Sequence, residues 1–139
     1  MSATMLPSLH DDFLVSYEVN CESRQIKLYA KRDPRIVESN GNQLRVVTFD
    51  GVEWYQFEND AFGNIIFALE EVPIERLLAE NGQRIAESYR WAGAPGPWAA
   101  DLASAAHTLA AKGIKGFVLS SSYGLSGWVL AKEVLVERV

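Results

Sequence analysis

Cysteine occurs once in this chain, at Cys21, and histidine twice, at His10 and His107. One thiol closes no internal disulfide, which excludes a stapled secreted scaffold. With one cysteine and two distant histidines there is no ligand set for a structural zinc and no base oriented beside a serine nucleophile. No apolar run approaches the roughly 20 residues that cross a bilayer. Met1 to Leu9 lacks the basic and apolar regions of a signal peptide. These absences predict a soluble, cytoplasmic protein that carries no metal, no cofactor and no catalytic residues, and that does not act at a membrane. Basic residues are scarce too: none lies between Arg45 and Arg76. Formal net charge is −5, and residues 1–73 hold twelve acids against six bases. Nucleic-acid binding rests on Lys and Arg meeting phosphates, so this balance argues against it.

What is present suits one domain over residues 1–139, since 48% of the residues are hydrophobic. Phe13, Val15, Tyr17 and Val19 alternate with Leu14, Ser16 and Glu18, and Ile26, Leu28 and Ala30 with Lys27, Tyr29 and Lys31, which predicts a hairpin across Asn20 to Ser23. Pro34 and Asn40-Gly41 mark a loop. Leu44–Phe49 and Val52–Glu58 read as strands joined by a tight Asp50-Gly51 turn, and Ile65–Leu69 as a fifth, central strand. Pro73 opens a helical pattern through Ile74, Leu77, Leu78, Ile85 and Tyr89, interrupted by Asn81-Gly82. A second helix starts at Pro97, runs along Trp98, Leu102, Ala105 and Leu109, and ends at Lys112-Gly113. A hairpin follows around Ser120 to Gly127, with Val134–Val139 extending its last strand. The predicted class is α+β: an antiparallel sheet, made of an N-terminal meander and a C-terminal hairpin, with two or three helices packed on one face.

Motifs with chemistry fall short. Gly124-Leu125-Ser126-Gly127 brings its second glycine one residue too early for a nucleophile elbow, so it reads as a hairpin loop. His10-Asp11-Asp12 cannot all face one ion and reads as the approach to the first strand. Cys21 sits in a turn near Arg24, without the positive surroundings that make a reactive thiol. Arg24, Lys27, Lys31, Arg32 and Arg35 read as a solvated strand face.

The distinctive stretch is Arg45 to Arg76. It holds seven carboxylates and six large aromatics, Phe49, Trp54, Tyr55, Phe57, Phe62 and Phe67. Those aromatics serve either as core or as anchors for a cationic partner. Glu53, Trp54, Glu58 and Asp60 are the candidate contacts for a protein partner with a basic surface. One rival is a small-molecule pocket lined by Trp91, Trp98, Tyr123 and Trp128; the other is an enzyme without a readable motif, which predicts clustered carboxylates in a cleft.

Leu9-His10-Asp11, an alternating strand and hairpin, then Phe49-Asp50-Gly51-Val52 leading to Asn64-Ile65-Ile66-Phe67 together resemble small uncharacterised bacterial β-rich proteins. Some of these are assigned as immunity proteins of polymorphic toxin systems. The likeness spans roughly residues 9–72. It implies a non-catalytic acidic protein that masks a toxin.

Overall fold

A computed structural model describes residues 6–32 and 44–138. Pro34, Arg35 and Asn40-Gly41 lie outside the described residues. Eight strands are formed: β1 Phe13–Asn20, β2 Gln25–Lys31, β3 Leu44–Asp50, β4 Trp54–Glu58, β5 Ile65–Val72, β6 Lys115–Tyr123, β7 Ser126–Ala131 and β8 Glu133–Arg138. Two α-helices, α1 Ile74–Ala92 and α2 Leu102–Ala111, lie between β5 and β6. All strand pairings are antiparallel, in the order β4-β7-β6-β5-β1-β2-β3-β8. The class is therefore α+β with an antiparallel sheet.

The two ends of that order are made of the same two chain segments. β4 continues β3 across Gly51, and β8 continues β7 across Lys132. β3 pairs with β8 up to Asp50↔Glu133, and β4 with β7 from Trp54↔Leu130. Between those ladders the Lys132 N–H donates to the carbonyls of Asp50 and Gly51, and the Glu53 N–H to that of Leu130. One long bent ribbon thus links the two halves, and the strand pairings form a closed circuit. Closure of this kind removes most of the open edge a sheet would otherwise expose.

This arrangement corrects the sequence reading at the Asp50-Gly51 step. β3 and β4 are not hairpin partners; the step is the corner of the ribbon. Gly51 has φ 62°, and a Cβ there would stand 2.8 Å from the Lys132 side chain. The left-handed backbone and the close neighbour select glycine at a corner as they would at a turn. The five N-terminal strands do not form one meander either, because β4 lies at the far end of the order, beside β7. The segment after Ala131 keeps the strand direction but changes partner, from β6 and β4 to β3.

Alternation fills the interior. Leu14, Ile26, Leu28, Val47, Phe49, Ile66, Phe117, Leu119 and Val129 form one buried cluster, and Tyr55, Phe57, Val134 and Val136 pack on it, so every strand contributes. The Phe49 and Phe117 rings meet with centroids 5.5 Å apart. Beside this core Asp12, 1% exposed, pairs with buried Arg45 at 2.6 Å and faces Arg32 at 3.6 Å. On the approach to β1, Asp12 is thus an interior ion-pair partner.

The alternate residues of β7 point the other way. Trp128 and Leu130 join Ile74, Leu77, Ile85, Trp98, Ala105 and Leu109 in a second cluster beneath the helices. α1 runs unbroken through Asn81-Gly82; Gly82 is buried, and a Cβ there would stand 3.2 Å from Leu102. Pro97 opens a 3-10 turn, Pro97–Ala100, rather than the second helix. α2 begins at Leu102, where Asp101 accepts the Ala103 N–H and the Ser104 hydroxyl. A side-chain cap is a stronger start signal than the proline that precedes it.

Candidate functional site

Residues 59–64 join β4 to β5, and two of them have left-handed backbones: Asn59 at φ 66° and Phe62 at φ 60°. Asparagine tolerates that region; for phenylalanine it costs about 1–2 kcal/mol. Hydrogen bonds hold the turn in place. Asp60 Oδ1 accepts the Phe62 N–H and Asn64 Nδ2–H, both at 2.9 Å. Asn64, 4% exposed, uses its Oδ1 to accept the N–H groups of Ala61 at 2.9 Å and Leu125 at 2.8 Å. The Tyr17 hydroxyl donates to Asp60 Oδ2 at 2.9 Å. The turn, the β6–β7 loop and β1 are thereby tied at one point. Gly124, with φ 92°, lies so close that a Cβ would overlap the Asn64 amide, and the Ser121 hydroxyl donates to the Leu125 carbonyl.

The outcome is a phenylalanine ring 97% exposed on a fixed turn. Below it lies a cleft of about 430 Å³ between β1 and the turn, lined by Val15, Ser16, Tyr17, Asp60, Phe62 and Asn64 among others. Among the described residues Asp60 is the one charged residue in that lining. Its carboxyl is held below the ordinary 3.8, first by the Asn64 hydrogen bond, then by the Phe62 N–H and the Tyr17 hydroxyl. The Tyr17 phenol is raised above 10.0 by the same bond, seen from its other end. Both shifts keep Asp60 ionised and Tyr17 protonated near neutrality.

The four acidic-stretch candidates do not share one face. Glu53 accepts Trp98 Nε1–H at 3.1 Å and lies 3.5 Å from Lys112 Nζ. Trp54 is half-buried against the cluster beneath the helices. Glu58 is exposed but bridged by Arg84 at 3.1 Å. The guanidinium of Arg84 is shifted upward, chiefly by its hydrogen bond to that carboxylate. Asp60 alone lines the cleft under Phe62. Glu53 and Trp54 line a separate cleft of about 260 Å³ with Val19, Cys21, Arg24 and Pro95. The reason is the ribbon corner: it sends Glu53 toward the helices while the chain's next turn emerges beside β1.

The alternative pocket also comes apart. Trp98 and Trp128 are buried together in the cluster beneath the helices. Trp91 is 81% exposed at the end of α1 under the Arg90 guanidinium, and Tyr123 is exposed at the end of β6. None of the four lines either cleft just described. Cys21 is exposed, as its turn position predicts. Glu18 stands opposite Lys27 in the ladder, yet its carboxylate accepts the Tyr29 hydroxyl at 3.0 Å.

Phe62 belongs to the aromatic stretch but not to the four candidates. A usable signal was present: it stands inside Asp60-Ala61-Phe62-Gly63-Asn64, where turn-forming residues leave no strand or helix period to bury a large ring. No helix is long and apolar enough to cross a membrane among the described residues. Comparisons with protein-family models, with curated proteins and with solved structures return no match.

Proposed function

We propose that the protein is a non-catalytic binding module that docks a protein partner through the surface around Phe62. The observation that carries this reading is the ring itself: exposed, on a left-handed backbone, and braced by a buried asparagine. Leaving a phenylalanine in water forgoes about 1.5–3 kcal/mol of burial. The strained φ adds to that cost, and the exposed ring joins neither core cluster to offset it. Strain of this kind, where the surroundings enforce it, points to function. A partner that encloses the ring regains the burial, and a pre-set turn loses little freedom on docking.

Charge indicates the kind of partner. Ionised Asp60 stands beside the ring without a basic partner among the described residues, whereas Glu58, two residues away, is bridged by Arg84 through both carboxylate oxygens. Such a rim favours a basic partner and speeds its approach at low salt. A toxin-masking immunity protein fits this description, in keeping with the resemblance of residues 9–72. The docking surface proposed here replaces Glu53 and Trp54 as its centre, since both are engaged within the fold.

Immobilised full-length chain tests this directly. Wild type and Trp91→Ala should retain the same partner from an extract of the source cells, and Phe62→Ala should lose it. Trp91 is the matched control, an exposed aromatic without a braced turn. Retention by Phe62→Ala would remove the turn from consideration.

A further inference from the structure

We propose that the cleft beneath Phe62 receives an arginine side chain of the partner, an assignment that rests on the docking surface proposed above. Three features of the cleft select that group. The first is charge: among the described residues Asp60 is the only carboxylate that lines it, and no base does. Its Oδ1 is occupied twice within the turn, while Oδ2 receives only the Tyr17 hydroxyl. A carboxylate offers about four acceptor positions, so Oδ2 keeps one for an incoming donor.

The second is a bulge in β1. The β1–β2 register skips from Leu14↔Ala30 to Ser16↔Tyr29, leaving Val15 without an opposite residue. On the other side, the β1–β5 ladder ends at Phe13↔Ile65. Among the described residues Val15 therefore has no opposite residue in either ladder, and it lines the cleft. A bulge bends its strand and re-aims the side chains beside it, and such bulges recur next to functional sites.

The third is a wall of mixed polar and apolar side chains. Val15 and the Tyr17 and Phe62 rings line the cleft around Asp60. An arginine lays its methylene stem on such a wall, and its planar guanidinium stacks on a ring while directing donors to two acceptors at once. A carboxylate oxygen beside aromatic rings matches a planar, stacking guanidinium better than it matches a lysine ammonium. A volume of about 430 Å³ accommodates the whole side chain.

The probe is N-acetyl-arginine amide, titrated into isotope-labelled full-length protein and followed by amide NMR. N-acetyl-lysine amide and N-acetyl-norleucine amide serve as comparisons. The arginine derivative should move the amides of Val15, Ser16 and residues 61–64 in a saturable way. The lysine derivative should bind more weakly, and the norleucine derivative should leave those amides in place. Asp60→Asn should weaken binding about tenfold. Phe62→Ala, which leaves the Asp60 and Asn64 side chains in place, should weaken it several-fold, so a disturbed turn in the first variant does not decide the matter. Equal shifts from the norleucine derivative, or shifts centred elsewhere, overturn the assignment. Partner capture that depends on Phe62, together with no response to the arginine derivative, overturns the cleft assignment alone and leaves the docking surface standing.

Discussion

Asn64 joins three separate parts of the chain through one amide. Its oxygen serves the turn at Ala61 and the β6–β7 loop at Leu125, and its nitrogen serves Asp60. In Asn64→Ala two backbone N–H groups lose their acceptor, one of them buried. That should cost about 2–4 kcal/mol, read as a lower urea midpoint with an unchanged slope. Asp60 gives the turn a pH dependence. Its folded-state pKa is lowered, so its contribution is complete above the ordinary 3.8 and is lost as pH falls below that value through the folded one. An acid titration of the Phe62 amide should therefore have its midpoint below 3.8; a midpoint at or above it would mean that the three hydrogen bonds do not persist in solution.

Strands and helices were readable where a period persists. Alternation in Ile26–Ala30 marks β2, and the apolar spacing from Ile74 to Tyr89 marks α1, because burial of one face imposes those periods; Phe13–Val19 is a strand too, but Val15 and Tyr17 are exposed and Leu14 of the opposite set is buried, with a register shift between Leu14 and Ser16. The corner at Gly51 was misread for a physical reason. Asp-Gly reports a left-handed backbone, and that conformation serves a hairpin and a ribbon corner equally. Which strand lies opposite is decided by β7 and β8, far along the chain. The corner can be tested against Gly93, which is also left-handed, at φ 72°, but has open space where a Cβ would go. Gly93→Ala should cost only the backbone preference, about 1 kcal/mol. Gly51→Ala should cost more, because its Cβ also meets Lys132. Equal losses would show that the two ribbon halves are not packed tightly at the bend.

At the scale of the whole molecule, the closed strand circuit buries one core and the helices build a second on the outer side of β7. Most large side chains are committed to one or the other, including Trp98 and Trp128. The acidic stretch is divided by the same geometry. Charge was visible in the sequence at Asp60, but Glu53 and Glu58 were not separable from it, because their partners Trp98, Lys112 and Arg84 come from helical segments and their flanks. Phe62 stands outside both cores, and a ring held ready for a partner contributes nothing to the fold. Urea unfolding of Phe62→Gly measures that most directly. Glycine relieves the left-handed strain and adds freedom to the unfolded chain, so the two effects nearly offset. The variant should match wild type or exceed it by up to about 1 kcal/mol. A loss greater than about 1 kcal/mol would mean that the ring packs on its own protein, and would contradict its role as a surface held ready for a partner.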